Sequence, residues 1–119
     1  MRKIVAELRQ LVTFKNTTEI GDIVLIAAKE PRMLFYARID SIERDVSRRD
    51  EWWHVAMTIL AVPMQKITWT LRTEQMTGQE IFTMGGEERF VQAVQFGALP
   101  EKPQSEKSEK VAPFLKRIK

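Results

Sequence analysis

Cysteine is absent from the 119-residue chain and histidine occurs once, as His54. Without cysteine there is no disulfide, no thiolate nucleophile, no thiol redox switch and no cysteine-bearing zinc site. A single imidazole also excludes a histidine-rich metal centre. Long apolar runs are missing as well: the longest covers residues 23–28, far short of the ~20 residues that a helix needs to cross a bilayer. After Met1-Arg2-Lys3, the polar Glu7, Arg9 and Gln10 break what would be the apolar stretch of a signal peptide, and no small-residue cleavage site follows. The expected location is therefore cytoplasmic, with no membrane span. Glycine and proline, five of each, are too few for a collagen-like or low-complexity chain.

What is present is the composition of one globular domain, 44% hydrophobic and 29% charged. The formal charge of +3 is unevenly placed. Residues 1–96 hold 13 Lys/Arg and 13 Asp/Glu, leaving zero, whereas residues 97–119 hold 6 and 3, leaving all of the excess. The body thus lacks the net positive footprint usual in a nucleic-acid module. Residues 97–110 combine Pro100 and Pro103 with alternating charge and few apolar side chains, the signature of a linker. Beyond them Val111, Phe114, Leu115 and Ile118 among lysines and Arg117 form one short basic amphipathic segment. The layout predicts a single domain over 1–96 and a flexible basic tail over 97–119.

Ile4, Val5, Leu8, Leu11 and Val12 recur at helical spacing, predicting a helix over 3–13. From Gly21 the pattern becomes that of strands. The β-branched run 23–28 is apolar on both faces. Residues 33–42 alternate, with Met33, Phe35, Ala37 and Ile39 on one face and Tyr36, Arg38 and Asp40 on the other. Further strands are expected over 52–61, 66–74, 80–83 and 89–96, with a charged loop over 43–51 and glycine turns at Thr77-Gly78 and Gly85-Gly86. Five or six short strands without room for crossover helices imply an antiparallel meander, which in a small chain curls into a barrel over 21–96. The double-sided run 23–28, and Trp52, Ala56 and Leu60 opposite Trp53, Val55, Met57 and Ile59, call for a cover on the outer surface. The N-terminal helix is the nearest candidate; a partner or a second copy is the other.

Gly21-Asp22-Ile23-Val24-Leu25-Ile26, the loop from Lys29 to Arg32 and Phe35-Tyr36-Ala37-Arg38-Ile39 resemble the opening hairpin of SH3-like small barrels. With Trp52-Trp53, Trp69-Thr70-Leu71-Arg72 and Phe82-Thr83-Met84-Gly85-Gly86, residues 21–96 also resemble a group of small bacterial proteins of uncharacterised function. The resemblance implies a mainly β, SH3-like barrel and carries no activity with it.

Chemistry-bearing residues are scattered. His54 lies near Asp40, Glu43, Asp45, Asp50 and Glu51, but arginines interleave with these carboxylates, and no nucleophile, base and orienter separate out. Arg44-Asp-Val-Ser-Arg48 is similar to half of the signature of PilZ cyclic-dinucleotide barrels; the Asp/Asn-x-Ser-x-x-Gly half is missing. Glu87-Glu88 after Gly85-Gly86 argue for a hairpin turn rather than a phosphate cradle. No catalytic, cofactor-binding or metal-binding residue is assigned, and the chain is read as non-enzymatic. The expected function is an interaction module that binds a protein partner, or itself, through a barrel face. Its aromatic and arginine anchors would be Tyr36, Arg38, Trp52, Trp69 and Arg72. The alternative is nucleic-acid binding through Arg48, Arg49, Lys66, Arg72 and the tail lysines.

Overall fold

The computed structural model describes residues 1–29 and 32–98; the expected tail over 97–119 lies almost wholly outside them. Six strands form one antiparallel sheet: β1 (Ile23–Ala28), β2 (Met33–Arg44), β3 (Trp52–Ile59), β4 (Gln65–Arg72), β5 (Phe82–Met84) and β6 (Glu87–Ala93). Two helices, α1 (Arg2–Leu11) and α2 (Thr73–Met76), and a 3-10 turn at Phe96–Ala98 complete the fold. The sheet curls into a half-barrel. Its order is β4-β3-β2-β1-β6-β5, so the first four strands are a meander and the last two add on the far side of β1. The step from β4 to β5 leaves the expected meander and carries the chain, through α2, from one edge to the other. No ladder joins β4 to β5 among the described residues. Their side chains meet instead, with the Trp69 and Phe82 rings edge to face at 6.5 Å.

The inner face holds the main core: Val24, Ile26, Ala37, Ile39, Val55, Met57, Leu71, Phe82, Val91 and Ala93 are buried together with Met76 of α2. On the outer face Val5 and Leu8 of α1 close a second core over Leu25, Ala27, Phe90 and Val94. This explains why β1 is apolar on both faces: it is covered twice. The helix ends at Leu11 rather than residue 13, because the chain turns extended to pair with β6. Lys15 N–H donates to Ala93 O, Gln95 N–H donates to Thr13 O, and Phe14 bridges Val94. Leu11, expected on the apolar stripe, stays 80% exposed. Val5 and Leu8 meet the sheet and Val12 follows them against the same core, while Leu11 faces solvent.

The glycine turns behave differently from each other. Gly85 and Gly86, both at positive φ, form the two-residue connection of the β5–β6 hairpin, with Met84 opposite Glu87. Thr77-Gly78 is no hairpin. It closes α2, where Gly78 at φ +80 leaves room for Gln92, whose side chain a Cβ would meet at 2.5 Å. Gln92 in turn donates from Nε2 to Lys15 O, and Arg9 donates to Gly78 O. The N-terminal arm, α2 and β6 are thereby tied at one place.

Truncating the α1 contact tests this packing. Leu8→Ala is expected to cost about 2–5 kcal/mol of unfolding free energy, whereas Leu11→Ala on the solvent side stays within about 0.5 kcal/mol. Paired urea titrations measure both, and equal losses would contradict the packing.

Candidate interaction face

Alternation along the strands divides the sheet's outer surface in two. The half over β1 and β6 lies under α1. The half over β2, β3 and β4 is not covered by α1, whose buried contacts are with β1, β6 and Val94 just after it, and there the side chains of Leu34, Tyr36, Arg38, Ser41, Glu43, Trp52, His54, Ala56, Thr58, Lys66, Thr68, Thr70 and Arg72 share one face by register. Parity on β2 changes midway. Between the Ile39–Met57 and Ser41–Ala56 pairs, Asp40 is an extra residue with no partner on β3, a β-bulge. The bulge sends the Asp40 carboxylate outward, where it accepts from the Thr58 hydroxyl and from Nε and Nη2 of Arg38 at 3.0 and 2.9 Å. These donors, Thr58 first and Arg38 second, hold Asp40 below the usual carboxylate range.

Four of the five expected anchors, Tyr36, Arg38, Trp52 and Arg72, lie on this bare half; the structure does not bring them into one patch. Arg38 pairs with Thr58 in register, six residues along β3 from Trp52, which separates the two groups by about 20 Å. At one end Tyr36 lies between Leu34 and Leu60, whose N–H donates to Tyr36 O. All three are open to solvent, at 43%, 58% and 45% respectively. Arg38 borders them.

At the other end Trp52 faces Arg72 across β3 and β4, and two guanidiniums attend its ring, Arg48 at 4.9 Å and Arg72 at 6.0 Å. Each is also held by a carboxylate, Arg48 by Asp45 at 3.1 Å and Arg72 by Glu74 at 3.8 Å. Asp45 further accepts from the Ser47 hydroxyl and backbone N–H, and these bonds, ahead of Arg48, keep it below its ordinary range. Trp52 is thus half-covered by its own chain rather than offered as a free platform.

Trp69, the fifth anchor, turns to the inner face. It packs against the core and Phe82, with the Arg89 guanidinium 4.9 Å from its ring. The Trp52-Trp53 pair splits as strand geometry requires: Trp53 is inner and donates from Nε1 to the Thr73 hydroxyl at 3.0 Å. The split also separates the two arginines of the PilZ-like spacing, since Arg44 sits on Trp53 at 5.6 Å while Arg48 sits on Trp52. His54 meets Thr70 Oγ1 through Nδ1 at 3.0 Å and has Asp45 3.6 Å from Nε2. Among the described residues no group of three His, Asp or Glu side chains is placed to hold a metal ion. Leu60 was among the outer apolar positions that the sequence marks as calling for a cover, and it stays open; Leu34 was not singled out, its signal being an apolar residue at outward parity on the neighbouring strand.

The bulge contact has a sign that can be measured. Asp40's lowered pKa means that its contribution to stability is present above the unfolded carboxylate pKa and is lost as pH falls through the folded value. Thr58→Val is expected to raise the Asp40 pKa toward the ordinary range, with a smaller rise in Arg38→Ala. Carboxyl carbon shifts followed by NMR against pH would show this, and an unmoved Asp40 titration in Thr58→Val would remove the hydroxyl as its cause. Comparison of the chain with protein-family models, with curated proteins and with solved structures finds no match.

Proposed function

We propose that the protein is a non-enzymatic interaction module that binds a protein partner through the bare outer half of its sheet, with Tyr36 and Arg38 as anchors. The observation that carries this reading is the exposed trio Leu34, Tyr36 and Leu60 beside Arg38, on the half of the sheet that α1 leaves uncovered. An aromatic between two aliphatic side chains, bordered by a guanidinium, is the arrangement in which binding energy concentrates at interfaces.

The same face argues against the nucleic-acid alternative. Of the arginines named for that alternative, Arg48 and Arg72 each hold a carboxylate of their own chain, as does neighbouring Arg38, so phosphate would compete there with Asp45, Glu74 and Asp40; exposed Lys66 has no ion pair among the described residues. A partner surface with neutral hydrogen-bonding and apolar groups meets no such competition.

A photo-crosslinking amino acid at position 36, introduced in the protein's own cells, is expected to yield a discrete protein adduct that Arg38→Glu or Leu34→Glu abolishes. The same group at exposed Glu7 on α1 is expected to yield none. Adducts equal from both positions, or none from position 36, would defeat the reading. Fluorescence anisotropy with single- and double-stranded oligonucleotides at low salt is expected to show no binding. Affinity that falls steeply with salt would transfer the assignment to nucleic acid.

A further inference from the structure

The two edges of the sheet are unequal. β5, at one end, has three residues; β4, at the other, has eight. In an antiparallel ladder half of an edge strand's N–H and C=O groups point away from the neighbouring strand. Among the described residues no backbone group of residues 65–71 bonds to anything but β3. Natural proteins blunt such edges with proline, bulges, clustered charge or a covering element. β4 has no proline and no bulge against β3, and a single charge, Lys66, between Gln65 and Leu71. Its composition, with Ile67, Thr68, Trp69 and Thr70, favours strand pairing.

We infer that this edge pairs antiparallel with β4 of a second copy of the chain, with Thr68 on the two-fold axis. Parity and charge narrow the register, and cross-strand pairing chooses within it, since centring on Ile67 would set polar Gln65 against Trp69. Side chains that face each other across an antiparallel pair lie on the same side of the sheet, so inner residues must meet inner and outer must meet outer. Centring the pair on Trp69 satisfies this but sets Lys66 against Arg72 twice. Centring it on Thr68 sets Lys66 against Thr70 and brings Ile67 of each copy against Trp69 of the other, a β-branched and aromatic pairing of the favourable kind. The axis is isologous, so one strand supplies both halves of the contact. The neutral body over 1–96 offers no net repulsion between copies. The side chains at the axis are accessible: Thr68 is exposed, and Ile67 and Trp69 are each partly so. Pairing here would extend the sheet from six strands to a continuous twelve and set the two bare outer faces side by side. It uses the edge, not the Tyr36 face, and the two assignments stand or fall separately.

Sedimentation equilibrium of the full chain is expected to show a monomer–dimer equilibrium. Position 68 would face itself, so Thr68→Lys and Thr68→Glu each place like charges opposite one another and are expected to weaken the dimer roughly five- to tenfold. An equimolar mixture of the two is expected to restore it as a heterodimer. Restoration also shows that both variants fold; near-UV circular dichroism checks each alone. Tyr36→Ala is expected to leave the dimer unchanged. A wild-type chain that stays monomeric at high micromolar concentration overturns the inference, whether its edge is then bare or covered by residues 99–119. A dimer insensitive to both Thr68 variants, or one not restored on mixing, overturns it equally.

Discussion

The double-sided burial of β1 is the constraint on which the remaining architecture depends. Val24 and Ile26 point into the half-barrel while Leu25 and Ala27 point out of it, all at 2% exposure or less. At about 25 cal/mol per Å² of apolar area, neither set can be left in water by a domain whose net stability is a few kcal/mol. The inward set requires strands on both sides to curve around it, which β2 and β6 begin. The outward set requires a lid, and α1 supplies one with two buried side chains, Val5 and Leu8. The strand lies inside the sheet because neither of its faces tolerates exposure, a burial that neighbouring β6 shares over Phe90 to Ala93.

A lid of ten residues cannot cover six strands. At 1.5 Å per residue α1 is about 15 Å long, roughly three strand spacings, and its buried side chains pack on residues of β1 and β6 and on Val94. The outer surface of β2, β3 and β4 therefore needs another solution, and most of it is polar: Ser41, Thr58, Thr68 and Thr70 carry hydroxyls, while Arg38, Arg48 and Arg72 carry charges already balanced by carboxylates. The bulge at Asp40 belongs to this solution, since it converts an unpaired residue into an acceptor for Arg38 and Thr58. What the polar pattern leaves unexplained is the Leu34, Tyr36 and Leu60 trio.

Most of the strands were legible because period-two alternation survives in short segments: β1 through β4 lie within two residues of the positions their patterns predict. The need for a cover over β1 was legible too, since an apolar run on both faces has one physical meaning. Strand order was not. Alternation records which face a residue takes and not which strand lies beside it, so β6 beside β1 left no local mark. Thr77-Gly78 read as a hairpin turn because a positive-φ glycine serves a helix end as well as a turn, and the side chain that required it, Gln92, is distant in sequence. The bulge was equally silent, because Asp40 fits an outward position under simple alternation. Among the anchors, parity within a strand was clear but which parity faced the core was not, so the sequence did not show that Trp69 takes the inner face.

The arginines of the outer face bear on the kind of surface the module can meet. Each is already engaged with a carboxylate at 2.9 to 3.8 Å, exposed enough for solvent to screen the pair. A partner gains little by supplying a further carboxylate to a guanidinium so occupied, and loses by leaving the displaced one unpaired. It gains more by drying the apolar trio, where burial alone is favourable and no existing bond is broken. On the proposed reading selectivity would rest on shape around Tyr36, with Arg38 and Asp40 as a neutral donor–acceptor pair at the rim.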